Sequence, residues 1–339
     1  MLKTKKYILF GITILLSLLI IFISLCFGRY NINFNKFLQI IFGKLNTENT
    51  IEYNVILNLR LPRTLLAFMV GGALTLSGLI YQETFQNNLV SPSILGVSSG
   101  SSVGAGFAIV LGLSNVMWGM GVSFFAFIFG ILTILITIFV SKMFKNTKTL
   151  SLILAGIIIT GFMSSVISVI KTVSNEQTQL PSIIFWLMGS FSEVKMYQVW
   201  IFMPIYIVSI IILFSIRWRI NIISRGEEIA QSRGLNYKYY RWIIIIISTL
   251  LTASSIAVAG NITWIGLVIP NIIRIWLGKN TKTTIPFSIT IGGSFMVIID
   301  IISRTLTSGE IPISAISGII GAILFAYILI VKKGKNEKS

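Results

Sequence analysis

The sequence predicts an all-α polytopic membrane protein with about ten transmembrane helices, folded as one domain over residues 1–339. Three observations carry this reading. Hydrophobic residues fill 55% of the 339 positions and charged residues 11%, and the mean hydropathy is +0.89; a water-soluble domain of this length could not bury so much apolar surface. The apolar residues fall into runs of about 20, the length that crosses a bilayer as a helix. The basic residues behind the net charge of +17 sit in short clusters between those runs. That is the pattern of loop anchors, not the basic face of a nucleic-acid-binding domain.

The expected spans follow in order. The first, 7–27, comes after Lys3, Lys5 and Lys6; it is too long for a signal-peptide core and lacks a small-residue cleavage pattern, so it reads as retained. The second, 62–82, opens at RLPR, where Pro62 suits the first turn of a helix, and contains Gly71, Gly72 and Gly78. Span 93–112 is short and broken by glycine, and it carries the polar run Ser98-Ser99-Gly100-Ser101-Ser102. Span 116–140 leads to Lys142, Lys145 and Lys148, which precede span 150–170. In 172–195 the apolar piece FWLMGSF is too short to cross and reads as an outer-face or re-entrant segment. Spans 196–216 and 239–259 flank the loop 217–241. Then come 262–278, short and interrupted by Pro270, 284–303 with Gly292 and Gly293, and 311–331 before Lys332, Lys333, Lys335 and Lys338. An even count puts both termini on one side, and the positive-inside bias makes that side the cytoplasm.

Several chemistries are excluded at once. The chain has one cysteine, Cys26, and no histidine. It therefore has no internal disulfide, no ordinary zinc site and no Ser-His or Cys-His nucleophile. No cofactor or metal is expected. GxxxxGK[ST] is absent, so the chain does not bind ATP through a P-loop. Glu83 and Asp300 are the acids in or near spans, too few to favour an ion-coupled secondary transporter. The serines at 98–102 lack a base, which argues against an intramembrane hydrolase.

Four features need an explanation beyond crossing. The glycines and serines of the spans either let helix backbones approach closely or line a pore, the latter chiefly at Ser98–Ser102. Asp300 and Arg304, four apart, share a helix face; they form an ion pair, or Arg304 points outward to a partner. Arg60 and Arg63 bracket Pro62 and are either interfacial anchors or a basic claw for a carboxylate partner. The stretch SRGEEIAQSRGLN (224–236) sets two adjacent acids in a chain that has ten. Between Gly226 and Gly234 it reads as a short surface helix in an unusually long inside loop: a solvated loop, or a rigid knob that receives force from a separate motor.

These stretches resemble one family. RLPRTLLAFMVGGALTLSGLIYQETFQNNLVSPSILGVSSG (60–100) is similar to the signature of the FecCD-type permeases, the membrane subunits of ATP-binding cassette importers for ferric siderophores, haem and cobalamin. That signature runs R-L-P-R, a Gly/Ala-rich helix, S-G, Q, R-N-P-L-A, P and L-G-x-x-x-G, and Pro62, Asn87, Pro92 and Gly96 fall on it. GEEIAQSRGLN resembles the family's G-D-E-x-A-x-x-L-G, and AGNITWIGLVIPNIIRIWLG (259–278) its A-G-x-I-x-F-V-G-L-x-x-P-H-x-x-R. DIISR (300–304) and GEIPISAISGIIGAILF (309–325) follow in family order, so the resemblance covers about 55–331.

The resemblance implies a type II importer architecture. A ten-helix subunit pairs with a second copy or a sister subunit around a translocation path. Two copies of a cytoplasmic ATPase drive it, and an extracytoplasmic binding protein feeds it. It implies that Glu227, Glu228, Ala230, Ser232 and Gly234 belong to an ATPase-coupling element. Arg60, Arg63 and Arg304 would receive glutamates of the binding protein, with Asp300 holding Arg304 in place. Ser98, Ser99, Gly100, Ser101, Ser102, Pro270 and Asn271 would line or gate the path. The cargo implied first is a ferric siderophore, then haem or cobalamin. The sequence departs from the pattern at Asn271, where histidine is usual, at Gln86 and Asn88 in the R-N-P-L-A turn, at Trp264 for phenylalanine, and at Ser314 and Ile323 where glycine and proline are common.

Overall fold

Within lipid a peptide group has no water to bond, so an apolar run satisfies its N–H and C=O groups internally by coiling into a helix. A computed structural model of the chain describes residues 3–30, 32–41, 50–144, 149–307 and 309–336. Lys145 and Lys148 of the expected inside cluster, Lys338 and the chain end lie outside these residues. The described residues form sixteen α-helices: α1 (Lys3–Cys26), α2 (Phe34–Ile41), α3 (Ile51–Tyr53), α4 (Leu61–Thr84), α5 (Val97–Val110), α6 (Val116–Gly119), α7 (Gly121–Met143), α8 (Thr149–Val173), α9 (Gln179–Met188), α10 (Met196–Ser215), α11 (Arg217–Ile223), α12 (Glu227–Ser232), α13 (Tyr237–Ala259), α14 (Ile265–Leu277), α15 (Thr281–Thr305) and α16 (Ile313–Asn336).

Each of the ten expected spans contains a helix. Eight helical stretches are long and apolar enough to cross a membrane, while α5, α9 and α14 are shorter apolar helices. The two spans expected to be short and interrupted are α5 and α14, of 14 and 13 residues. α9, of 10 residues, takes the place of the segment judged too short to cross.

The start of the second span differs from expectation. Pro62 does not begin the helix; the helical stretch runs unbroken over Ile51–Thr84. Asn54–Arg60 adopt π-helical turns, and Leu61 N–H bonds the carbonyl of Ile56, five residues back. That wider register makes room for the proline ring, which would otherwise collide with the preceding turn. Nothing in the composition of NVILNLR announces it.

α4 is the hub. The most apolar window of its stretch is 89% buried, against 11% for the window in α1. Small residues decide who sits beside it. Gly71 and Gly72 face Gly292 and Ile289 of α15, and Gly78 lies on the backbone carbonyl of Gly266 in α14. A second close seam joins α5 to α7, where Gly100 and Gly104 meet Thr133, Phe125 and Phe129. Packing, not solvent, therefore explains most of the spans' glycines.

A β-carbon at Gly78 would run into backbone that no rotamer change can clear. Gly78→Ala is expected to destabilise the protein by about 3 kcal/mol, the upper end for overpacking a tight core. Gly161→Ala in α8, where the space is open, is expected to fall within about 0.5 kcal/mol of the parent. Melting temperatures in detergent, followed by fluorescence-detected size exclusion, compare the two; equal behaviour would contradict the packing described here.

Candidate functional site

On the side of the basic loops, α11 runs into Gly226, whose φ of 111° turns the chain into α12. Glu227 and Glu228 occupy the first turn of α12, where negative charge suits the unpaired N–H groups. The other end closes as a Schellman turn: Leu235 N–H bonds Ala230 C=O at 3.0 Å and Gly234 N–H bonds Gln231 C=O at 2.9 Å. Gly234 takes φ 70° there, a conformation glycine adopts without strain. Ala230 is 0% exposed, and Leu235 packs on the same core. The unit is thus pinned by Ala230 and Leu235, while Glu227, Glu228, Ile229, Gln231, Ser232 and Arg233 stand exposed. Within the element Ala230 anchors the knob and is not part of its exposed face.

Next to this knob is a polar cleft of about 470 Å³, bordered by Gln82, Glu83, Gln86, Asn221, Arg225 and Lys279. Beneath it Arg274 Nη1 donates to Glu83 Oε1 at 3.3 Å, both side chains being buried. The sequence pointed to Glu83 but not to its partner. The available signal was that both residues end helical runs on the same side.

Gln82 and Asn271 tie the turn after α4 to α14. Pro270 lacks an N–H, so the carbonyl of Gly266, four residues earlier, loses its helical donor. Gln82 Nε2 supplies one at 3.3 Å and also donates to Val90 C=O at 3.1 Å. Asn271 Nδ2 donates to Asn88 C=O at 3.0 Å and Leu267 C=O at 2.9 Å. Asn87 Oδ1 accepts from Leu89 N–H at 2.9 Å, shaping the same turn. Asn271 and Pro270 are buried. They hold the 85–91 turn in place and do not line an open path in this conformation.

The polar run 98–102 also divides. Ser98 borders a cavity of about 220 Å³ that lies between the start of α5, the start of α14 and the 91–93 turn. Ser99 Oγ donates back to Gly96 C=O at 3.1 Å and Ser102 Oγ to Ser98 C=O at 2.8 Å. Gly100 and Ser101 pack against Thr133 and Gly130 of α7. The reason is geometric: a helix turns about 100° per residue, so five consecutive side chains cannot share one lining face. Pro92 opens the 3₁₀ turn Pro92–Leu95, and Gly96, at φ 85°, joins that turn to α5. The Pro92 ring sits against Gly266, whose added β-carbon would come within 2.6 Å of Pro92 Cγ.

At the opposite end, Arg60, Arg63 and Arg304 are all buried. Arg60 donates to the carbonyls of Leu25, Cys26 and Tyr30 at 2.9, 2.8 and 2.6 Å. Arg63 donates from Nε to Asp300 Oδ1 at 2.8 Å, and from its two terminal nitrogens to Glu310 at 2.7 and 3.1 Å. Arg304 lies 3.6 Å from Asp300 Oδ2 and donates to Ser24 C=O and Oγ at 2.6 Å. Arg60 and Arg63 therefore diverge to separate partners and do not form one free claw. The i,i+4 pairing of Asp300 with Arg304 is present, and Asp300 serves a second arginine that sequence spacing did not reveal.

A helical membrane bundle with interrupted helices at its centre and an exposed acidic knob between spans is built as a permease. The chain belongs to the FecCD transport family, whose model matches residues 15–331, and it is a permease of the ABC importer type. It is 37% identical, over 97% of its length and 98% of the relative's, to the molybdate import system permease of Haemophilus influenzae. It is 31% identical, over 92% of its length and 95% of the relative's, to a Helicobacter pylori permease named for iron chelatin transport. Among solved structures it matches the inward-facing conformation of a transporter assigned to the metal-chelate ABC type. There the TM-score is 0.84, with 33% identity, covering 95% of this chain and 98% of that one.

Proposed function

We propose that this permease carries an iron chelate, a ferric siderophore in the first instance, across the cytoplasmic membrane. A separate ATPase engages α12, and an extracytoplasmic binding protein docks on the arginine side. The observation that carries the coupling half is the knob itself: a six-residue helix clamped from below by Ala230 and Leu235 and presenting Glu227 and Glu228 outward. Force applied to it passes through α11 and α13 into the packed bundle, a rigid-body scheme. Docking through Arg63 proceeds by exchange, a partner carboxylate replacing Glu310, whose side chain is 23% exposed. Haem and cobalamin are alternative cargoes of the same machinery. Molybdate is a second reading, favoured by the Haemophilus relative's name and identity. The permease acts with a second permease subunit.

Uptake by cells with and without the gene tests the cargo, using ⁵⁵Fe on a panel of siderophores beside ⁹⁹Mo-molybdate, haem and cobalamin. Loss of one siderophore alone supports the first reading, and loss of molybdate alone replaces it with the second. The same reading puts both termini in the cytoplasm. A reporter fused after Ser339 is expected to be active only as a cytoplasmic fusion, and an external signal would reverse the orientation.

A further inference from the structure

We propose that the cavity between the first turns of α5 and α14 binds anionic oxygen: a free tetrahedral oxyanion, or the carboxylate oxygens of a metal chelate. Both helices begin inside the bundle, and their N-termini meet at this one cavity. In α5 the first helical bond recorded at the cap is Gly100 N–H to Gly96 C=O, which leaves the N–H groups of residues 97–99 without intrahelical acceptors. In α14 the N–H groups of Ile265, Leu267 and Val268 are taken by the carbonyls of Thr263 and Trp264, and Gly266, in the same first turn, lines the cavity. Paired half-helix N-termini carry the positive ends of two helix dipoles, an arrangement suited to negative charge in a membrane.

The second observation is independent of the helices. Ser98 is 9% exposed and borders the cavity, and its hydroxyl makes no hydrogen bond to the described residues. A hydroxyl without a protein partner that is open to the cavity is free to donate to what fills it. The hydroxyls of Ser91 and Ser93 are 2.9 Å apart, so one proton bridges them and the other is free to donate. Thr263 adds a further hydroxyl to a lining that also includes Leu74, Ile256 and Ile262, and no charged side chain of the described residues borders the cavity. A lining without a carboxylate and with two helix N-termini suits an anion better than a cation, and its neutrality keeps binding weak enough for the ligand to leave, as transport requires. Trp264, held at φ 71°, forms one wall of the cavity, with its ring against Gly321 and 6.3 Å from the Phe325 ring of α16. Any shift of α16 would move that wall.

The inference deepens the transport reading and rests on it for the ligand's source. It can nevertheless fail separately, because binding is read without transport. The full chain, assembled with its ATPase in lipid nanodiscs, is equilibrated against radiolabelled molybdate and, separately, ferric citrate. Saturable binding of at least one is expected. Ser98→Ala should weaken it about tenfold, the effect of losing one hydrogen bond to a charged group, and Ser98→Asp should abolish it; size exclusion verifies that both variants assemble. Molybdate binding lost in the variants assigns a free oxyanion, and ferric citrate binding alone lost assigns chelate oxygens. No saturable binding of either anion, or affinities within twofold of the parent in both variants, overturns the site. Binding that persists while uptake of every tested cargo is absent counts against the transport reading and leaves the site standing.

Discussion

Asp300→Ala is expected to be the most destabilising single substitution at the arginine end, lowering stability by about 3–5 kcal/mol, the range for removing one partner of a buried ion pair. Asp300 is 0% exposed and accepts from Arg63 at 2.8 Å while lying 3.6 Å from Arg304. Without it, two guanidinium groups face each other inside the bundle and only one keeps a carboxylate. Arg63 retains Glu310, whereas Arg304 retains only the neutral oxygens of Ser24. The asymmetry has a consequence. Arg63→Met leaves Asp300 paired with Arg304 and should cost less than Asp300→Ala. The double variant should cost less than the sum, because both single changes break the same Arg63–Asp300 bond and the second also relieves the repulsion between Arg63 and the unpaired Arg304. Melting temperatures of the four proteins in detergent close that cycle. If Asp300→Ala melts within about 1 °C of the parent, less than a shift of 1 kcal/mol would give, the cluster is not the tie described here.

The sequence and the structure diverge where contacts are long-range or conformational. The spans were legible because lipid imposes one solution on an apolar run, and α12 was legible because two glycines bracket a polar helix. The Arg63–Asp300 bond joins residues 237 positions apart, and spacing along one helix cannot announce a partner on another. Arg304 was found through its i,i+4 neighbour for the opposite reason. The run at 98–102 looked like a lining because its residues are alike, yet helical rotation sends Ser98 to the cavity and Ser101 into α7. The resemblance sets Asn271 on the path, at the position where histidine is usual. The asparagine side chain is consumed by the carbonyls of Asn88 and Leu267. Pro270 freed the Gly266 carbonyl that Gln82 now caps, a long-range compensation that no local pattern displays.

Glu227→Lys with Glu228→Lys is expected to bring uptake to background while leaving the protein folded in the membrane and the partner ATPase able to hydrolyse ATP. Folding should survive because both side chains are exposed and the anchors of the knob, Ala230 and Leu235, are untouched. The local cost is the loss of two acids from a helix start, about 0.3–1 kcal/mol each at an exposed site, and of the Gln231–Glu227 hydrogen bond at 3.2 Å. Neither term approaches what unfolds a bundle. At a docking surface, by contrast, reversing two charges sets like against like, which costs several kcal/mol and acts first on association. The neutral pair Glu227→Gln and Glu228→Gln removes attraction without adding repulsion, so its uptake should lie between the two and depend less on salt than the parent's. Uptake in proteoliposomes, set against ATP turnover of the same complexes, separates uncoupling from misfolding. A lysine variant that transports normally would leave α12 a solvated turn and move the search for the ATPase contact to the Arg225–Lys279 cleft beside it.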